Sequence, residues 1–319
     1  MKQQPIEFAV GPTFGVAVPD QVRVPGFDIP GPWTPPAQSG YRFRKDLLAD
    51  VLGWYQGRVA QLHPDGLWLT GPMGAGKSSV IREIAARLNL NLVQANGQRR
   101  LEMADLIGHL TAIGGDVVFQ EGPLARAVRQ GWLFLLDEAD LMDPSELAGL
   151  NTLLDGGPLV ITANGGEVVT PAPGFGVICT ANTAGSGDAT GLYAGVQRQN
   201  HALLDRFWVV EVDYPDPLTE IELVAAASPE LPRILIERMV SVAQEVRRLF
   251  VGTEDQTAVV EITFSTRTLI RWAYQLCWFR NAPHPVQYAL RRALTARAEP
   301  QTAAAIDGIV QRVFGDQAS

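Results

Sequence analysis

Eight consecutive residues, GPMGAGKS at positions 71–78, have the types and spacing needed to hold phosphate. They fit the pattern G-x-x-x-x-G-K-[ST] and lie between an apolar run that reads as a strand and an amphipathic run that reads as a helix. Glycine lets backbone N–H groups turn inward, and a helix start adds partial positive charge. On this reading Gly71, Pro72, Met73, Gly74, Ala75 and Gly76 shape a cradle that continues into Ser79. Lys77 reaches the β- and γ-phosphates, and Ser78 ligates Mg²⁺. A glycine-rich turn with an incidental lysine is the plain structural alternative; the strand and helix on either side count against it.

A second run, LFLLDE at 133–138, supplies acids. An apolar strand that ends in two carboxylates places them at the carboxyl edge of a sheet, beside such a loop. Asp137 suits the Mg²⁺ shell, and Glu138 suits a general base acting on water. Asp140 and Asp143 are assigned to the solvated turn that follows. The pair points to nucleotide hydrolysis. A guanine-reading N-K-x-D loop is impossible, because no lysine follows Lys77, so ATP is the expected nucleotide.

The stretch TANTAGSGDATGLYAGVQRQNHALLDRF, 180–207, follows the apolar run FGVIC. Asn182 ends that strand and would stand near the γ-phosphate and the attacking water, where an amide both donates and accepts. Arg206 is hard to use within one subunit. In a ring it can point into a neighbour's nucleotide and stabilise transition-state charge; a surface arginine paired with Asp205 is the alternative. Arg198 and Arg126 are weaker candidates for the same edge. Gly185, Gly187, Gly191 and Gly195 suggest a shaped or mobile loop over 183–199, one that contacts a neighbour or reports nucleotide state.

The positioning elements follow from periodicity. Helical spacing covers 44–62, 78–89 and 123–130, and a further helix over 144–157 is stopped by glycines. Short apolar strands are expected at 66–70, 90–96, 132–140, in FGVICTAN and in FWVVEVD; 66–70, FGVICTAN and FWVVEVD read as buried and 132–140 as the most apolar. Two hairpins are expected, at 110–121 around Gly114-Gly115 and at 158–171 around Asn164-Gly165-Gly166. The alternation predicts an α/β fold: a parallel sheet with helices on both faces, two β-hairpin insertions, and a C-terminal helical lid. The expected domains are a Pro/Gly-rich N-terminal arm lying extended over 1–40, an α/β nucleotide-binding domain over 41–214 and a helical domain over 215–319.

The totals bound the alternatives. The chain has 319 residues, 46% hydrophobic and 19% charged, with a net charge of −8. That balance supports a sizeable core and counts against a broad nucleic-acid surface. No apolar run reaches the ~18–20 residues of a membrane helix. The start, MKQQPIEFAV, lacks the long apolar core of a secretory signal, so a cytoplasmic protein is expected. Cys179 and Cys277 read as buried thiols. His63, His109, His201 and His284 are scattered and read as structural or exposed.

These motifs, in this order, resemble the AAA+ superfamily. The two hairpins look like those of its MoxR/magnesium-chelatase branch. AARLNLNLVQANGQ, ADLIG, FQEGPLARAV and the 180–207 block resemble the ATPase-subunit family of aerobic cobaltochelatase, over roughly Phe14 to Arg271. The resemblance implies a homo-oligomeric ring, a hexamer, with ATP and Mg²⁺ between subunits. Lys77 and Ser78 match its Walker A positions, Asp137 and Glu138 its Walker B positions, and Asn182 its sensor 1. Arg206 matches the arginine finger, and Arg267, in STRTLI, a sensor 2 arginine reaching the γ-phosphate from the lid. Asn96 would restrain Glu138 until a partner binds. The implied partners are a von Willebrand A-domain protein and a large chelatase subunit that inserts Co²⁺ into a corrin; this chain would be the motor and would not hold the cobalt. The turn after the acids and the C-terminal region depart from that family. A MoxR-type chaperone with a different client therefore stands as the alternative. A nucleic-acid motor, or a scaffold without turnover, is a more distant one.

Overall fold

The computed structural model describes residues 3–185, 187, 195–251 and 262–315. Three of its strands are almost wholly apolar runs: Gly66–Thr70, Leu133–Asp137 and Gly176–Ala181. Such runs are stable only where both sheet faces are covered, and these three form the centre of a five-stranded sheet. Its order is Phe207–Glu211, Gly66–Thr70, Gly176–Ala181, Leu133–Asp137, Leu92–Asn96, and every pairing is parallel. Glu211 pairs with Thr70, Thr70 with Ala181, and Asn96 with Asp137, so the carboxyl ends reach one rim together. Parallel neighbours need crossovers; Lys77–Arg87 and Pro123–Gln130 supply two of them. Trp68, Leu124, Val128, Phe134 and Phe175 fill one shared core.

Phe207–Glu211 is not a buried strand. It lies at the sheet edge, and Trp208 and Val209 are exposed. The helix expected over 144–157 is broken into Pro144–Leu147, a 3-10 turn at Ala148–Leu150, and Asn151–Leu154. Gly149 sits at the break, where a Cβ would lie 2.9 Å from the Met103 side chain. Close packing demands glycine there, and glycine weakens a helix.

Both hairpins are present: Gly108–Ile113 with Asp116–Glu121, and Leu159–Ile161 with Glu167–Val169. The first turns through Gly114 and Gly115, both with positive φ, as a tight hairpin turn demands. Ile113, Val117, Val160 and Val168 are exposed on them. Arg129 joins the two hairpins, with Nε 2.8 Å from Glu121 and a terminal nitrogen 2.8 Å from Glu167.

The Pro/Gly-rich segment is more ordered than its composition implies. Pro5–Ala9 pairs antiparallel with Arg23–Phe27, and Val24 is fully buried. Two main-chain bonds and one to a side chain stitch the segment to the sheet domain. Phe27 N donates to the Leu88 carbonyl (2.9 Å), Leu92 N to the Trp33 carbonyl (3.0 Å) and Trp33 N to Asn91 Oδ1 (2.9 Å). Such long-range backbone pairing leaves no mark in composition.

Packing divides the chain into two compact units: Met1–Gly71 with Gly76–Val212, and Pro72–Ala75 with Asp213–Ser319. The second unit is built on the helices Pro217–Ala227, Arg233–Val251, Thr266–Trp278, Pro285–Ala293 and Pro300–Phe314. Met239, Val246, Phe264 and Trp272 lie in its core. Glu220 is fully buried there. Arg247 clamps it through two bonds of 2.7 and 2.8 Å, and Thr266 Oγ1 donates to it at 2.6 Å. Arg247 Nε also donates to the Phe264 carbonyl (2.6 Å), which ties helix Arg233–Val251 to the residues leading into helix Thr266–Trp278.

Glu220→Ala strands that guanidinium, and removing one partner of a buried pair costs about 3–5 kcal/mol. Chemical denaturation should show this unit unfolding at markedly lower denaturant. An unchanged midpoint would mean the ion pair does not hold the unit together.

Candidate nucleotide site

The loop after strand Gly66–Thr70 turns through Gly71, with φ 142, where a Cβ would lie 2.1 Å from the Val212 carbonyl oxygen. Only glycine fits that conformation and that approach. Gly76, with φ 98, caps helix Lys77–Arg87. Main-chain N–H groups in a helix's first turn lack intrahelical acceptors and favour an anion. Lys77 is only 8% exposed. Its ammonium donates to the Gly71 carbonyl (2.6 Å) and to Asn182 Oδ1 (3.2 Å), so both ends of the loop and the Gly176–Ala181 strand end meet on one cation.

Asp137 is the second meeting point. Its Oδ1 accepts from Ser78 Oγ at 2.5 Å and from Thr180 Oγ1. Its Oδ2 faces an Arg82 terminal nitrogen at 3.6 Å and Gln94 Nε2 at 3.5 Å. Arg82 also donates from Nε to Gln94 Oε1 (3.0 Å). Two hard oxygen donors, Ser78 and Asp137, thus stand together, a donor set that suits Mg²⁺.

Glu138 is exposed and left-handed, with φ 57. A non-glycine residue in that region stores of order 1–3 kcal/mol of strain. The surroundings impose it: Glu138 N donates to Thr180 Oγ1 (3.0 Å), and the Glu138 carbonyl packs so close to Gly97 that a Cβ there would lie 2.3 Å away. The kink falls directly after the strand's last residue, Asp137, and leaves Glu138 exposed. Asn96, beside Asp137 in register, accepts from Gln94 Nε2 (3.2 Å).

Asp140 does not belong to a solvated turn. It is 0% exposed, and its Oδ2 accepts from the main-chain N–H groups of Asn182 (2.7 Å) and Thr183 (3.3 Å). Burial pushes its carboxyl above the usual carboxylate range, against the lowering by those two bonds. Asp143 is exposed and caps the next helix through Ser145 N (2.8 Å). Thr180, Arg82, Gln94 and Asp140 carry no motif signature; tertiary packing selects them.

Lys77, Ser78, Asp137, Glu138 and Asn182 are therefore gathered at one rim, with Ser79 in the first turn of helix Lys77–Arg87. Arg206 is not among them. Its guanidinium grips Asp155 through bonds of 2.7 and 3.1 Å and donates to the Ala202 carbonyl at 2.5 Å. Arg126 is 3.6 Å from Glu121, and Arg198 is exposed. Arg267 lies in the second unit, exposed in the first turn of helix Thr266–Trp278. In the 183–199 stretch, Gln199 N donates to the Gly185 carbonyl (2.9 Å), and Gly191 lies outside the described residues.

Cys179 is buried, and burial pushes its thiol upward, whereas Cys277 is half-exposed and not the buried thiol its apolar neighbours suggest. Among the described residues no group of His, Cys, Asp and Glu is arranged to hold a metal by itself, and no helix is long and apolar enough to cross a membrane.

Fold and site together define a P-loop AAA+ protein whose acid pair ends strand Leu133–Asp137, separated from strand Gly66–Thr70 by strand Gly176–Ala181. The chain belongs to the MoxR-type AAA+ family of ATPases. Residues 66–207 match the AAA domain (dynein-related subfamily), and 220–313 match the CbbQ/NirQ/NorQ C-terminal domain. The chain is 27% identical over 316 residues to aerobic cobaltochelatase subunit CobS of Sinorhizobium sp, covering 96% of this chain and 90% of that one. It is 31% identical over 231 residues to protein NorQ of Paracoccus denitrificans, covering 72% and 80%. Midasin of Dictyostelium discoideum is 30% identical over 216 residues, which is 67% of this chain but 4% of midasin.

Thr180→Val removes the hydroxyl that serves both Asp137 and Glu138 N, and unsatisfied buried groups cost about 1–3 kcal/mol each. Thermal unfolding should fall for Thr180→Val and stay near wild type for Thr180→Ser. Equal midpoints for the two would mean the hydroxyl does not organise the rim.

Proposed function

We propose that this chain is the ATP-hydrolysing motor of a homo-oligomeric ring that remodels a protein partner in the cytoplasm. The observation that supports this best is the convergence of Lys77, Ser78, Asp137 and Asn182 at one sheet rim, with Glu138 kinked outward beside them. ATP phosphates lie along Gly71–Ser79, held by first-turn N–H groups and by the Lys77 ammonium. Ser78 and Asp137 would hold Mg²⁺, which would supply charge neutralisation at the phosphate oxygens. Glu138 takes a proton from water, and the Asn182 carboxamide, already oriented by Lys77, fixes that water in line.

Arg206 of the next subunit completes the site. In the single chain its guanidinium is satisfied by Asp155, so engagement in trans exchanges a carboxylate for a phosphate. Arg267 brings the lid's response to the γ-phosphate. The two hairpins, joined through Arg129 and carrying exposed Ile113, Val117, Val160 and Val168, offer an apolar surface to the partner. The ring we infer is a hexamer with a von Willebrand A-domain protein and a chelatase subunit as partners; the likeness to a cobaltochelatase subunit supports the chelatase partner. A second reading keeps the motor and changes the client. It is favoured by the CbbQ/NirQ/NorQ match at the C-terminus and by the similarity to NorQ, and it makes the chain a MoxR-type chaperone.

Lys77→Ala should lose ATP binding. Glu138→Gln should bind ATP with Mg²⁺ and lose turnover by about 10²–10⁴-fold, the usual contribution of general-base catalysis. Equilibrium binding of a fluorescent ATP analogue and phosphate release measure the two. Full turnover by Glu138→Gln would remove Glu138 from the chemistry.

A further inference from the structure

One buried acid is left over from this account. Asp140 has no exposed surface, its chain neighbours Ala139 and Met142 are fully buried, and its charge acts on the equally buried Cys179 thiol. Burying an acid is costly unless hydrogen bonds replace those it made with water. Oδ2 is used twice, by Asn182 N (2.7 Å) and Thr183 N (3.3 Å). Oδ1 is buried without a hydrogen bond among the described residues. Burial raises the carboxyl's proton affinity, and the bonds from Asn182 N and Thr183 N oppose that rise by favouring the carboxylate.

The two N–H groups lie where the sheet stops providing acceptors. The ladder between Gly176–Ala181 and Gly66–Thr70 ends with Ala181 opposite Thr70. Asn182 is the first residue beyond it, and Asp140 takes over as its acceptor. The position of the Asn182 main chain sets where its carboxamide meets Lys77, at 3.2 Å. Asp140 makes one more bond, from its own carbonyl, which accepts from Gln197 N at 2.7 Å. From Gln197 the chain runs through Asn200, which caps helix His201–Leu204 by accepting from Ala202 N (2.9 Å), to Arg206.

We propose that Asp140 is a positioning residue for Asn182: its carboxyl replaces the missing sheet acceptor, aims the amide at the attacking water, and its carbonyl moors the segment that leads to Arg206. This rests on the reading that Asn182 orients water for ATP hydrolysis. Asp140 touches no substrate and moves no proton; it acts through the main chain of its neighbour.

The test is a kinetic cycle on the full chain with ATP and Mg²⁺. A misplacement of about 1 Å can cost 10²-fold in rate, so Asp140→Ala should lower kcat by roughly that factor while KM for ATP and analogue affinity stay within about threefold. Asp140→Asn, whose amide oxygen still accepts both N–H groups, should recover most of the loss. Because both residues act on one step, Asp140→Ala combined with Asn182→Ala should be no slower than Asn182→Ala alone. A merely structural role would lower affinity and rate together and make the double variant additively slower. If Asp140→Ala does not fold, Asp140→Ser, too short to reach both amides, runs the same cycle. Losses that add, or a wild-type kcat for Asp140→Ala beside a slow Asn182→Ala, overturn the proposal alone. A wild-type rate for Asn182→Ala overturns the water-positioning reading, and the proposal with it.

Discussion

Asp137 is the point on which the site depends. One carboxylate oxygen receives the Ser78 hydroxyl from the helix start and the Thr180 hydroxyl from the neighbouring strand. Phosphate loop, acidic strand and amide strand are thereby tied at a single atom. That is possible only because all five strands are parallel and their carboxyl ends reach one rim. Antiparallel pairing would send alternate ends to the opposite edge and scatter the same residues. The apolar runs that bury the strands from both sides are therefore as necessary to the chemistry as the polar residues at their tips.

Around that point rigid supports alternate with groups that, on the ring reading, change partners. Glu138 is forced left-handed by the Thr180 hydroxyl and by the close approach of Gly97, so its aim is built into the backbone. Arg206 is satisfied in the single chain by Asp155. On the ring reading this keeps a desolvation-averse guanidinium bonded until a neighbour's nucleotide offers a better anion. In the helical unit, the buried Glu220–Arg247 pair and Thr266 fix the start of the helix that carries Arg267.

Much of this was legible in sequence, where the determinants are local. GPMGAGKS declares its loop through glycine positions and one lysine, and LFLLDE declares a strand end through four apolar residues followed by two acids. The double-glycine turns announced both hairpins. What failed was decided by distant neighbours. Asp140 looks like a solvated turn residue until Asn182 and Thr183, some forty positions on, fold over it. Arg206 sits beside Asp205 in sequence but pairs with Asp155 in space. The 144–157 helix breaks because Met103 packs against Gly149. FWVVEVD reads as buried, yet it is a sheet edge, and edge position is a property of topology. The first forty residues resemble loose chain in composition because their order comes from backbone hydrogen bonds to residues 88–92.

The central claim is that catalysis is shared between subunits, with Glu138 from one and Arg206 from the next. The most direct measurement is the ATPase rate of a mixture of Glu138→Gln and Arg206→Ala chains, each inactive alone. The account predicts partial recovery in the mixture, because an intact Glu138 then meets an intact Arg206 at some interfaces, together with a wild-type rate that rises steeply with protein concentration. A mixture as inactive as its parts, with a wild-type specific rate independent of concentration, would mean that each chain hydrolyses ATP by itself.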